Sequence, residues 1–296
     1  MLEEPIGWVL LFILGIFTGV LSGLLGIGGG LLMVPALTIF NVPLVQATAT
    51  SLVGVLLSSI SGSLRNLSAG ELNWRVSLAL ALFGIITAQM GAWLGDRAPD
   101  SALSLAFAAL LLITIYLMSL RQKLKTAEVR NQERETRSQE PELPAKIGYT
   151  SGEPFQPEPF QSEAQNLPFG SAKNSFQLLP IAGIGLLAGL LSGLFGVGGG
   201  VVMVPLQMLF LGESIKAAVR TSLGAIVAIA ISGLAQHAWN GNVLWIPGLC
   251  LGTGGILGAQ VGSRLLPRLA EQTVNLLFKL FLIGLAAYMA MRAIGY

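Results

Sequence analysis

The stretch Leu21–Pro35, LSGLLGIGGGLLMVP, holds five glycines in fifteen residues and closes on a proline. Glycine and proline are the poorest helix formers, so this segment interrupts a helix rather than extending one. A near copy, LSGLFGVGGGVVMVP, occupies Leu191–Pro205 and agrees at eleven of the fifteen positions. The likeness runs on. At a shift of 171, Thr50-Ser51-Leu52 falls on Thr221-Ser222-Leu223, Ser61-Gly62 on Ser232-Gly233, Trp74 on Trp245, Gly84 on Gly255, and Ala88-Gln89-x-Gly91 on Ala259-Gln260-x-Gly262. One register kept over so many anchors identifies an internal duplication, a common plan among membrane transporters.

Composition sets the environment of the two copies. The 296 residues are 53% hydrophobic and 11% charged, against roughly 25% charged in a soluble domain. Apolar runs long enough to cross a bilayer as helix recur from end to end, among them Ile6–Ile27, Leu44–Leu64, Trp74–Leu94, Ser101–Leu120, Phe176–Val197, Ala217–Ala238, Val243–Val261 and Val274–Met291. The fold class is therefore an all-α polytopic membrane protein. The opening MLEEPIGW carries acids where a secretory signal carries bases, so the first run reads as a retained span. A single cysteine, Cys250, leaves no internal disulfide and no multi-cysteine metal site. No cofactor is implied, and the small basic excess of two charges does not call for nucleic acid.

Charge is concentrated in Arg121–Phe176, with eight basic and eight acidic residues and prolines at 141, 144, 154, 157, 159 and 168. It reads as a largely disordered cytoplasmic connector with a short helical start at RQKLKTAEVRNQERE. Residues 1–120 and 177–296 are then the two membrane repeats.

Each repeat has four long apolar runs and a short one after its glycines, Leu31–Val42 or Val201–Leu211. As helix the short run reaches about 18 Å, less than a hydrocarbon core of about 30 Å. Either it dips in and returns, giving eight crossings plus two re-entrant segments, or the extended glycines complete a crossing, giving ten. Loop charge favours the second. With the connector inside, ten crossings put Arg65, Arg75, Lys216, Arg220, Arg264 and Arg268 inside and only Arg97 and Arg292 outside. The expectation is two inverted five-segment repeats, each with a Gly-rich broken helix.

The paired LSGLxGxGGGxxMVP stretches, each followed by TSL and later by a Gly-rich AQxG helix, resemble the sulfite exporter TauE/SafE family of membrane permeases. The resemblance covers both membrane halves and not the connector. It implies export of a small sulfur-containing anion such as sulfite or a sulfonate, the alternative being a permease for another small organic or inorganic anion. The bilayer and that substrate are the implied partners, and a coupling proton and a homo-oligomer are compatible with it.

An anion entering a bilayer needs donors to replace its water. Backbone N–H groups at a broken helix supply them without a fixed charge, and glycine lets the backbone come close. Gly28, Gly29 and Gly30, with Gly198, Gly199 and Gly200, are the candidate substrate-binding backbone, tight helix packing being the plainer reading. Thr50, Ser51, Thr221 and Ser222 are candidate hydroxyl donors unless they bond back to their own helix, and Ser22 and Ser192 stand at the mouths of the glycine runs. Gln89 and Gln260 sit at matching places in apolar helices, where an amide needs a partner: either they line the path or they join helices. Arg220, whose counterpart is Ala49, attracts the anion or snorkels to water. His237, the only histidine, beside Trp239, anchors at the interface or takes a coupling proton. Pairing His237 with Ser222 or Ser232 gives a distant alternative, an intramembrane hydrolase. Paired special residues argue against it, and a membrane scaffold, which would fit the Gly-rich packing, does not account for two helix breaks.

Overall fold

The computed structural model describes residues 5–138 and 178–293. Ten α-helices and a short 3-10 turn are the regular structure among them. They are α1 (Pro5–Leu25), α2 (Gly30–Ile39), α3 (Leu44–Ser68), α4 (Trp74–Gly95), α5 (Asp100–Ser138), α6 (Leu178–Phe195), α7 (Gly200–Phe210), α8 (Ile215–Trp239), α9 (Trp245–Leu265) and α10 (Glu271–Ala293). Six of them (α1, α3, α4, α5, α6 and α8) contain stretches long and apolar enough to cross a membrane. Their outer faces carry large exposed apolar side chains such as Leu82, Ile86, Leu112, Ile113, Leu187 and Ile231. In water such a surface would aggregate, whereas in a bilayer it is the solvated face.

Met1–Gln122 and Gln177–Tyr296 form one compact unit, and Lys123–Phe176 a second. Both glycine-rich halves thus share a single body. The helical start expected after Arg121 is the continuation of α5, which runs on to Ser138. The disordered character expected of the connector falls, over 139–177, outside the described residues.

Each half builds its main contacts with the other. α1 lies along α9, α4 lies along α6, α3 packs on both α8 and α9, and α4 also packs on α8. Glycines make these seams. A Cβ added at Gly15, Gly19 or Gly23 of α1 would sit 2.2 Å from the Leu251 carbonyl oxygen, 2.5 Å from that of Gly255 and 2.6 Å from that of Ala259. From α9, Gly254, Gly258 and Gly262 meet the carbonyls of Phe12, Ile16 and Val20 in return. The same device joins α6 to α4, where Gly185, Gly189 and Gly193 meet Leu80, Gly84 and Ala88. Backbones this close exchange dispersion contacts that any side chain would prevent.

The order of the contacts gives helix direction. Numbers climb together along α1 and α9, along α6 and α4, and along α3 and α9, where Gly54 faces Leu251 and Gly62 faces Ser263. They run oppositely in α3 and α8, where Gly62 faces Leu223 and Gly233 faces Leu52. So α1, α3 and α9 point one way and α4, α6 and α8 the other. The chain returns from the end of α1 to the start of α3 through the glycine stretch and α2, passing Val55 at Gly28 and turning at 40–43.

Gly193→Ala would drive a methyl to 1.9 Å from the Ala88 carbonyl, and Gly258→Ala to 2.0 Å from that of Ile16. Overpacking of this kind costs about 1–3 kcal/mol. Both variants are expected to melt at lower temperature in detergent. Gly183→Ala, with open space around it, is expected to melt no lower than the unmutated chain.

Candidate functional site

Helix α1 ends at Leu25, and the chain then takes positive φ at Gly26 (70°), Gly28 (83°) and Gly29 (84°) before α2 begins. The second copy repeats this at Gly196 (66°), Gly198 (81°) and Gly199 (75°). These left-handed conformations are open to glycine and strained for other residues, which explains why the sequence keeps both stretches.

The two breaks cross. A Cβ at Gly30 would lie 2.3 Å from the Gly196 carbonyl oxygen, and one at Gly200 would lie 2.1 Å from that of Gly26. Between these ends, Gly28 and Gly198 both face Val55 Cγ1 and Ile226 Cγ2, counterpart side chains from α3 and α8. The segments therefore pass antiparallel, backbone against backbone, across a small apolar plug of valine and isoleucine.

Hydroxyls lock the crossing. Ser51 Oγ is 2.8 Å from the Gly196 carbonyl and 2.7 Å from that of Thr48. Ser222 Oγ is 2.9 Å from the Gly26 carbonyl and 2.9 Å from that of Val219. Each serine thus shares its one hydroxyl proton between a carbonyl of its own helix and that of the first glycine of the opposite break. Thr50 does something else: its Oγ1 accepts from the Leu244 N–H at 3.0 Å, capping the approach to α9.

The carbonyls of Gly26 and Gly196 are answered, but the donors that follow them are not. The N–H groups of residues 27–31 and 197–201 are buried and find no acceptor among the described residues. Burying an amide donor without an acceptor costs about 1–3 kcal/mol, a cost that any acceptor brought to these groups would remove. Four of them, two per copy, open α2 and α7, where the helix dipole also favours negative charge. Ser22 and Ser192 hydroxyls are fully buried and unpartnered as well, with Ser22 Cβ against Gly29. These donors, backbone N–H groups and serine hydroxyls, are neutral, and no Lys, Arg, Asp or Glu is fully buried among the described residues.

The first break carries hydroxyls that the second lacks. Ser58 Oγ donates to the Gly28 carbonyl at 2.8 Å, and Ser59 Oγ, fully buried and unpartnered, points at Gly28. Their counterparts are Ile229 and Ala230. Sequence reading passed over both serines, although the loss of symmetry at this pair was there to be read.

Other sequence candidates lie elsewhere. Gln89 and Gln260 are exposed on the outer faces of α4 and α9, with no hydrogen bond to a described residue. They neither line the crossing nor join helices, because each follows an alanine (Ala88, Ala259) whose neighbouring face, one helical step round, makes the packed seam. Arg220 pairs with Glu71 at 3.1 Å and is part-buried beside Thr221 and Ser222. Ser232 donates to the Ile85 carbonyl at 2.6 Å, and neither Ser222 nor Ser232 is a hydrogen-bond partner of His237. An apolar groove of about 540 Å³ between α1, α2 and α10, lined by Phe17, Leu32, Pro35 and Tyr288, contains no residue of either glycine run.

Glu213, in the turn between α7 and α8, is mostly buried with one carboxylate oxygen unpartnered, and burial pushes its pKa from 4.5 up to about 6.

Crossed helix breaks inside a helical body with a lipid-facing belt are the architecture of a polytopic membrane transporter. The sulfite exporter TauE/SafE family model matches residues 11–289, and the chain belongs to that family. It is similar to the probable membrane transporter protein YunE of Bacillus subtilis, 24% identical over 93% of this chain and 94% of the relative. It is also similar to the probable membrane transporter protein MJ0441 of Methanocaldococcus jannaschii, 26% identical over 77% of this chain and 71% of the relative. A Xylella fastidiosa probable membrane transporter protein is 35% identical, over 36% of this chain and 41% of its own length. No solved structure matches. The chain is accordingly a multi-pass membrane protein of a transporter family.

Ser51→Ala and Ser222→Ala each remove one bond between the halves, at a cost of about 1 kcal/mol. They are expected to lower the melting temperature by similar amounts. For Glu213 the raised pKa means that the folded protein binds its proton more readily than the unfolded chain, so stability falls as pH rises from 4.5 to about 6. Glu213→Gln is expected to stabilise the protein by about 1–2 kcal/mol at neutral pH and to have no effect in acid below both values, read from melting curves across pH.

Proposed function

We propose that this protein is a secondary carrier or facilitator that exports a small sulfur-containing anion, sulfite or a sulfonate, held between the crossed glycine breaks. The observation that carries the reading is the set of buried, unanswered N–H groups on two breaks that face one another. An oxyanion has several acceptor oxygens around one centre and suits donors arriving from two sides. Neutral donors also let it leave again, where a buried fixed cation would hold it. The sulfur chemistry rests on the family's description as sulfite exporters.

In this reading the halves are inverted repeats of five segments and the chain crosses ten times. Its supports are the opposed directions of α3 and α8, the shared direction of α1 and α3, and the loop charges. Gly28–Gly30, Gly198–Gly200, Ser51, Ser222, Ser22 and Ser192 form the binding region, with Thr50 and Thr221 behind it. Arg220, its charge balanced by Glu71, stands where an anion enters from the side of the first break. Alternating access then requires Val55 and Ile226 to part.

The test is flux in proteoliposomes across sulfite, sulfate, thiosulfate and sulfonates. At least one sulfur anion is expected to move, and a protein that moves none overturns the reading. Gly29→Val and Gly199→Val are expected to abolish flux. Because they also strain the backbone, Ser22→Ala and Ser192→Ala serve beside them: these should keep the melting temperature and weaken apparent affinity about tenfold for one lost bond to a charged ligand.

A further inference from the structure

The carboxy-terminal ends of α4, α6 and α8 meet at His237, the one histidine of the chain. Its ring is fully buried. Nε2 lies 3.1 Å from the carbonyl oxygen of Gly193, on α6. Nδ1 lies 3.2 Å from Asp96 Oδ1, at the end of α4, an ion-pair contact rather than an aligned hydrogen bond. A carbonyl only accepts, so Nε2 carries a proton. A neutral ring would then turn the Nδ1 lone pair toward a carboxylate oxygen. Asp96 is held as that carboxylate, because Asn240 Nδ2 and Asn242 Nδ2 donate to its two oxygens, the latter at 2.9 Å. Both ring nitrogens face acceptors, and the arrangement is complete only with a second proton on the ring. The carboxy-terminal ends of α4 and α8 are the negative poles of their helix dipoles and favour a positive charge at this place.

The cluster joins the two halves and has no symmetric counterpart. At the repeat shift His237 falls on Asn66 and Asp96 on Pro267. Asp96 is the titratable group that faces the ring. α6 offers a carbonyl, the end of α8 and the turn after it offer the amides of Asn240 and Asn242, and Arg97 is turned away, stacked 3.8 Å over the Trp93 ring.

We propose that His237 and Asp96 form a proton-binding site that couples proton movement to the second glycine break. With the proton bound, the imidazolium ties α4 and α8 to Gly193, three residues before Gly196. When the proton leaves Nδ1, lone pair and carboxylate oppose each other and the contact between α8 and α4 opens, while Nε2–H keeps its hold on Gly193, so that α6 and the break that follows it are free to move with α8 away from α4. This rests on the transport reading above and names the coupling ion for it.

A single histidine makes the test direct, since ¹⁵N-labelled protein in detergent gives one imidazole spectrum. The unmutated protein is expected to show both ring nitrogens protonated, and Asp96→Asn to show fewer doubly protonated rings at the same pH. A ring that stays neutral at every pH at which the protein is folded, or an unchanged imidazole spectrum in Asp96→Asn, overturns the proposal. Flux of a sulfonate, whose charge is constant over this range, is expected to vary with pH in the unmutated protein and to be flat in His237→Gln. A variant that keeps the original pH profile also overturns it. Should the protein carry no sulfur anion, the transport reading falls, and the imidazole titration still decides the proton site.

Discussion

Everything in this fold turns on backbone that is not helical and yet is buried among helices. Such backbone is tolerated in a membrane protein only where protein, water or ligand answers its polar groups. Here the answer is half complete: the carbonyls of Gly26 and Gly196 are held by serines of the opposite repeat, while the donors that follow them are left free. Holding the carbonyls fixes the path of each break, and the free donors are then presented in a set position. Rigidity and vacancy are produced by the same short sequence.

Much of this was legible in the residues. The helix interruption, the short helices α2 and α7 and the membrane setting all follow from glycine placement and hydropathy, which are local properties. The long seams were harder. Gly15, Gly19 and Gly23, or Gly185, Gly189 and Gly193, are spaced four apart and so fall on one helix face, but spacing does not say which distant helix that face meets. Ser51 and Ser222 were picked as polar residues in apolar helices, and what they bond was hidden because their partners lie across the duplication. Gln89 and Gln260 misled for a related reason. An amide in an apolar run is unusual wherever it points, and the run alone does not say whether it faces protein or lipid.

The departures from symmetry are as informative as the symmetry. The two glycine stretches have matching breaks, matching plugs and matching serine locks. Beyond these, Ser58 and Ser59 enrich the first break, Arg220 with Glu71 marks one end of the bundle, and His237 with Asp96 marks one side of the second break. A device with two equal halves has no preferred direction of its own. These additions give each half a chemical character the other lacks.

The glycine seams also constrain how the chain can be made. Gly15 is fitted to Leu251, which follows 236 residues later (251 minus 15), and Gly193 is fitted to Ala88. Neither repeat contains the partner of its own first helix, so α1 must wait in the bilayer through almost the whole of synthesis before its surface is covered. Pairings so distant in sequence form slowly because the loop must close before the contact rewards it. Assembly therefore resembles two strands of rope laid together at the end rather than two domains folded in turn, and an early break in synthesis leaves helices with exposed glycine grooves and nothing to fill them.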